Sequence, residues 1–371
     1  MKAIAVTPAK HAIALIDQPE PLLTTPTGVK LRMLEVGVCG TDKEICAFDY
    51  GTPPPGSEYL VIGHESLGEV VEAGAQVTTL KHGDLVVTMV RRPCNDPTCT
   101  ACRSGRSDFC FTGGFTERGI KMAHGFMTEA VVDDATYMIR VPSELRDVGV
   151  LVEPLTIAMK AIEQVWQVQA RLPWACPVEP GKPSGYCHRA LVLGGGPVGL
   201  LGAMALIVNG FQTIVYSREP VGSDKCKLVE AIGGIYVSAE TDRFADILTR
   251  FGTIDVVYEA AGASALAFEV IQGLGTNGVF VFTGVPGRKA PISVDTDLMM
   301  RNLVLKNQVI FGSVNAGRSC YEAAVESLGE FMRRWPTQVR ALITGRFPID
   351  QAEKLLLGGG GGIKNVIAIG A

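Results

Sequence analysis

Near its start the chain alternates apolar and polar residues, in KAIAVT from Lys2 and VKLRMLEVGV from Val29, the two-residue period of half-buried strands. The pattern changes at Leu191, where LVL runs into three glycines, an apolar stretch of helical length, Asn209-Gly210 and a β-rich segment from Thr213. This predicts a buried strand, a tight turn, a buried helix and a second strand. Further apolar runs, IDVVYEAAG from Ile254, GVFVFTGV from Gly278 and NQVIFGSV from Asn307, are separated by helical stretches. Alternation of strand and helix implies an α/β fold with a doubly wound parallel sheet. Residues 191–208 carry no charge and match a membrane span in length, but the glycines and Pro197 interrupt them early, so no membrane association is expected.

A length of 371 residues exceeds what one hydrophobic core usually supports, so two domains are expected. The 47% hydrophobic and 19% charged residues suit a well-packed globular enzyme. Net charge is −4 and basic residues never run beyond pairs (Arg91-Arg92, Arg333-Arg334), which excludes the basic stripe that nucleic acid requires. The N-terminal MKAIAVTP lacks the apolar core and cleavage site of a signal peptide, and a cytoplasmic location is expected.

In that compartment the ten cysteines are not expected to form disulfides. Cys94, Cys99, Cys102 and Cys110 follow the spacing C-x4-C-x2-C-x7-C among turn formers and polar residues. Such a loop folds four thiolates around one tetrahedral zinc with no position left for water, a structural site. Cys46, Cys176, Cys187, Cys226 and Cys320 are scattered singly and read as small hydrophobes or neutral surface residues.

Cys39 stands apart, at the end of the Val29 strand in a Cys-Gly-Thr-Asp turn. His64 and Glu65 lie in GHES, and Glu153 lies in a Glu-Pro helix start. A thiolate, an imidazole and a carboxylate hold zinc while leaving a fourth position open, as a catalytic zinc requires. The candidates are Cys39, His64 and Glu153, with Glu65 as an intermittent ligand or supporting partner. In the nucleotide segment, Gly194, Gly196 and Gly199, with Pro197 and Val198 between, form GxGxxG between strand and helix. The spacing predicts a dinucleotide pyrophosphate at the helix start. The second strand ends Tyr216-Ser217-Arg218-Glu219, lacking the carboxylate that usually grips a ribose 2′-hydroxyl. A hydroxyl followed by a guanidinium favours NADP, with NAD as second choice because Glu219 is close by. Loops carrying Thr283, Gly284 and Val285, and Ser313 to Asn315, follow sheet strands and belong at the nicotinamide end.

VCGTDKEI, GHESLGEVVEAG, the cysteine loop, Glu153-Pro154 and GGGPVGL occur in the order seen in zinc-dependent medium-chain alcohol and polyol dehydrogenases, which the chain resembles over nearly its whole length. RRPC, GRSDFCFTGGFTERGI, HGFMTE, YSREP and GSVNAG resemble the glucose dehydrogenase branch. The resemblance implies a GroES-like β-rich catalytic domain over 1–155, a Rossmann domain over 156–312 and a return to the first domain over 313–371. It assigns Cys39, His64, Glu153 and Glu65 to the catalytic zinc, and Glu117 and Asn315 to sugar hydroxyls. Thr41 belongs beside the reacting oxygen, and Lys364 toward the cofactor. It implies a homodimer or homotetramer acting on a small-molecule sugar, oxidising C1 of an aldose such as glucose to the lactone. Val90 stands where relatives place a polar sugar contact, so the sugar's identity stays open, and a polyol or alcohol dehydrogenase, or a noncatalytic NADPH-binding protein, remains an alternative.

Overall fold

The computed structural model describes residues 1–287 and 291–370. The chain divides into two compact units, Met1–Thr156 with Asn315–Ala371, and Ile157–Val314.

The first unit is built on a seven-stranded sheet whose long strand Gly28–Val38 pairs with Glu65–Ala73 on one side and Lys364–Ala368 on the other. Both pairings are antiparallel, so the two neighbours begin beside the end of the central strand: Gly37 faces Glu65 and Val38 faces Asn365. That register gathers residues remote in sequence at one end of the sheet. Alternation along Gly28–Val38 sends Val29, Leu31, Met33 and Val36 into a core shared with Ile62, Phe126, Met127 and Ile367. Each such side chain contributes roughly 1.5–3 kcal/mol by leaving water, so the register is strongly fixed.

The second unit is a six-stranded, all-parallel sheet. Its strands are Arg189–Leu193, Gln212–Ser217, Ile235–Ser238, Ile254–Glu259, Leu274–Phe282 and Val309–Gly312. Numbered in that order they lie 3-2-1-4-5-6, the doubly wound dinucleotide-binding topology. The third strand was not anticipated, because its four residues, Ile-Tyr-Val-Ser, are too short a run to stand out beside Gly233-Gly234. Ala190 to Leu193 of the first strand are buried, and the helix Pro197–Val208 buries eight residues, consistent with an apolar pattern lacking a polar face. Among the described residues no helix is long and apolar enough to cross a membrane.

One expectation is overturned. Cys176 and Cys187, read as isolated residues, form a disulfide, with Cα atoms 5.7 Å apart. Turn formers between them (PVEPGKPSG) fold the segment back on itself, and the Cys187 amide donates to Cys176 Sγ at 3.0 Å. Trp174 stacks on His188 at 4.0 Å beside the bridge, which ties this segment to the entrance of the first strand. Compartment chemistry alone does not register such local proximity.

Candidate active site and nucleotide site

Where the three strands of the first unit converge, Cys39, His64 and Glu65 bring one ligand atom each within 4.8 Å of one another. Cys39 caps the helix Gly40–Cys46, its sulfur accepting the Thr41 amide at 3.2 Å. Cys39 Sγ lies 3.1 Å from His64 Nε2. Zinc–sulfur and zinc–nitrogen bonds at a tetrahedral angle span about 3.5 Å, so the pair fits one ion with little adjustment. Fully buried Asp42 accepts the Cys39 amide at 2.9 Å and places its other oxygen 3.4 Å from His64 Nδ1. Burial pushes the His64 pKa down, but the Cys39 and Asp42 charges outweigh it and raise it well above the usual imidazole value. A divalent cation between sulfur and nitrogen would meet the same negative charges.

Glu65 is committed elsewhere. Both its oxygens lie 2.6 Å from Lys364 Nζ, which also donates to the Val38 carbonyl at 3.1 Å. Side-chain exposures of 1% and 2% make this a buried ion pair. Gly37, opposite Glu65, leaves it room, since a Cβ there would come within 2.0 Å of a Glu65 oxygen. Lys364, expected toward the cofactor, thus has its ammonium held inside the first unit against this carboxylate. Glu153, buried in the first turn of the helix Val152–Gln169, lies outside the close trio. Burial, with the nearby Glu65 and Asp42 charges, raises its pKa to about 7, against the lowering influence of His64 and Lys364.

The four loop cysteines also gather within 4.8 Å. Cys99 Sγ lies 3.9 Å from Cys110 Sγ, close to the roughly 3.8 Å edge of a four-thiolate zinc tetrahedron. A one-turn helix, Thr100–Arg103, folds Cys102 back, and the Thr112 hydroxyl donates to Cys94 Sγ at 3.3 Å.

Nearby in sequence, Glu117 pairs with Arg91 across two short antiparallel strands. Its Oε1 accepts from Arg91 Nη2 at 2.9 Å and from Asn315 Nδ2 at 2.9 Å, so Glu117 and Asn315, 198 residues apart, are in direct contact. Oε2 takes no bond. Asn315 holds a left-handed backbone (φ 58), stabilised as its side-chain oxygen accepts the Ala316 amide at 2.8 Å. Val90 is buried in the core.

In the second unit, Gly194 to Gly199 turn from the first strand into the helix at Pro197. A Cβ on Gly199 would lie 2.1 Å from the Gly194 carbonyl oxygen, so only glycine allows this close packing. Ser217 ends the second strand and accepts the Gly195 amide at 3.1 Å; Tyr216 is buried and Arg218 exposed. Buried Glu259, absent from the sequence reading, organises the adjoining loops. Its Oε1 accepts the Ala261 and Gly262 amides at 2.8 and 2.7 Å, and its carbonyl takes the Thr283 hydroxyl at 2.7 Å. Gly284 donates to Glu259 Oε2 at 3.2 Å, Val285 is exposed, and the Ser313 amide donates to Phe282 at 2.8 Å.

Residues 25–143 match the alcohol dehydrogenase GroES-like domain, and residues 146–369 match the glucose dehydrogenase C-terminus. The chain belongs to the glucose dehydrogenase branch of the zinc-dependent medium-chain dehydrogenases. It is 38% identical to a glucose 1-dehydrogenase of Methanocella arvoryzae over 100% of both chains. It is also 38% identical to one of Thermoproteus tenax over 95% of each. Glucose dehydrogenase of Haloferax mediterranei, solved in complex with NADP, zinc and gluconolactone, is 31% identical over 100% of both chains, with a TM-score of 0.87. Asp42 and the Lys364–Glu65 pair were not singled out in the sequence; an acidic residue three positions after Cys39, in the capping-box position, was the available signal for the first.

Proposed function

We propose that this chain is a glucose 1-dehydrogenase that oxidises C1 of an aldose such as glucose, transfers hydride to NADP+ and releases the lactone. The observation that carries this is the convergence of Cys39, His64 and Glu65 in a chain alike over its full length to glucose dehydrogenases. Cys39 and His64, with Glu153 as a carboxylate ligand and Glu65, paired with Lys364, as an intermittent one, are the residues to hold a catalytic zinc. Bound there, zinc supplies Lewis-acid chemistry that lowers the pKa of the C1 hydroxyl. The four-cysteine loop is the site for the second, structural zinc.

The chain's own groups do the rest. Asp42 orients the imidazole so that Nε2 faces Cys39. Lys364 neutralises Glu65, which keeps an uncompensated carboxylate out of the buried site. Thr41, anchored at Cys39 by its amide, offers a hydroxyl to pass the C1 hydroxyl proton outward. Asn315 and the free oxygen of Glu117 hydrogen-bond sugar hydroxyls, with Arg91 fixing the carboxylate. Gly194, Gly196, Pro197, Val198 and Gly199 receive the pyrophosphate, Tyr216, Ser217 and Arg218 the adenosine end, and Thr283 to Val285 with Ser313 the nicotinamide end.

A second copy of the chain is the expected partner, in a homodimer or homotetramer in the cytosol. The helix Thr296–Leu305 buries none of its residues and exposes Met300, Val304 and Leu305, beside an edge strand with one neighbour.

The test is a panel of glucose, galactose, xylose and sorbitol followed at the NADPH absorbance band with both nicotinamide cofactors. An aldose oxidised with NADP+ is the expected outcome; turnover of sorbitol alone contradicts the proposal.

A further inference from the structure

The Cys176–Cys187 bridge takes no part in the chemistry above, and its two sulfurs have different surroundings. Cys176 is 8% exposed, and its sulfur accepts the Cys187 amide at 3.0 Å. Cys187 is exposed, in a turn closed by the His188 amide donating to the Gly185 carbonyl at 2.9 Å. A ring nitrogen of His188 lies within 4.8 Å of both sulfurs. His188 Nε2 lies 2.6 Å from the Trp174 carbonyl, which can only accept, so Nε2 carries a proton while Nδ1 faces Asp255 Oδ2 at 3.8 Å. The Arg189 amide donates to the same Asp255 oxygen at 2.8 Å, which fixes the carboxylate at the entrance of the first strand. One sulfur is thus open to attack, and the other is placed to leave, met by an amide donor and an imidazole.

We propose that this bridge is a thiol-exchange site, where a small thiol of the glutathione class attacks Cys187 Sγ and expels Cys176. The attacking thiolate forms a new S–S bond to Cys187 as the Cys176–Cys187 bond breaks. The bonding pair leaves on Cys176 Sγ, facing the Cys187 amide, and a solvent proton completes the thiol. A second thiolate then attacks the small thiol's sulfur in the mixed disulfide, so that two small thiols are oxidised to their disulfide and one bridge is reduced to a dithiol. The Cys187 amide is committed to Cys176 and the next one to Gly185, so the turn offers no extended backbone edge to a protein partner, and a small reagent fits it best. The change stays local. Ahead of the bridge, Gln169 donates to the Asn277 carbonyl at 2.5 Å and Arg171 to the Asn307 carbonyl at 2.6 Å, and behind it the chain enters the sheet at Arg189. Cleavage therefore frees residues 177–186 without unseating the sheet. Arg189, Phe211 and Asp255 beside the bridge lie at the starts of their strands, whereas Ser217 and Glu259 end theirs. Exchange is thus independent of the sugar and nucleotide chemistry proposed above.

The test treats zinc-loaded protein with reduced glutathione, blocks free thiols with iodoacetamide at successive times, and maps the adducts by peptide mass spectrometry. The mixed disulfide is expected on Cys187 in about tenfold or greater excess over Cys176. A second measurement exposes Cys176→Ser and Cys187→Ser to glutathione disulfide. Cys176→Ser, which keeps the exposed thiol, is expected to take up glutathione about tenfold or more faster than Cys187→Ser. An adduct divided evenly between the two cysteines, equal uptake by the two variants, or a bridge that survives excess glutathione overturns the proposal. Cleavage by a protein dithiol such as thioredoxin but not by glutathione overturns it as well, as does air-oxidised protein in which Cys176 and Cys187 are not joined.

Discussion

In the second unit the groups that would hold a pyrophosphate span residues 194–199 and are mostly backbone amides at one helix start. In the first unit the gathered ligand atoms come from positions 39, 64 and 65, and the cation that neutralises one of them comes from position 364. The first arrangement is local and depends on what is missing, a Cβ; the second is non-local and depends on strand register and on charges balanced in a dry interior. Mutation should therefore damage them differently. The nucleotide turn should fail by steric intrusion, and the metal cluster by loss of a ligand or an uncompensated charge.

The sharpest break in the comparison is His64→Ala. It removes the only imidazole in the gathered trio and is expected to lower kcat/KM on the order of 10³-fold or more, while NADP+ affinity, belonging to the other unit, stays within about threefold. Steady-state kinetics with cofactor titration checks both halves. Gly199→Ala is the converse experiment. Its Cβ meets the Gly194 carbonyl, so NADP+ binding should weaken by roughly 10-fold or more while zinc content is unchanged.

The nucleotide turn was legible because all its constraints lie within one strand–turn–helix, and GxGxxG states them in order. The cysteine loop was legible for the same reason: its four thiols fall within residues 94–110. Cys39, His64 and Glu153 were weak signals singly and gained weight only through family resemblance, since no periodicity reveals which strand ends meet. The Glu65–Lys364 pair spans 299 residues and depends on the last strand joining beside Val38, a topological fact with no local mark. The Cys176–Cys187 disulfide was missed for a different reason, because the cysteines were weighed by compartment rather than by the turn-rich segment between them.

Smaller effects sharpen the picture. Lys364→Met strands the buried Glu65 charge and should destabilise the first unit by about 3–5 kcal/mol in denaturant unfolding. Adding Glu65→Gln should recover most of that loss, whereas a lysine serving only the cofactor would leave stability untouched. The smallest change is expected from Cys176→Ser with Cys187→Ser. Opening a short loop costs at most roughly 3 kcal/mol, so the unfolding midpoint should fall by a few degrees, and a thiol reductant should do the same to wild type but nothing further to the variant.

The central claim, that Cys39 and His64 share one catalytic ion beside a separate structural one, is tested most directly by counting zinc in wild type and Cys39→Ser alongside glucose turnover with NADP+. Two zincs per chain falling to one, with NADPH production abolished and NADP+ binding kept, is the result this account predicts. Undiminished turnover in Cys39→Ser, or a wild type that retains a single zinc in the cysteine loop while fully active, would contradict it.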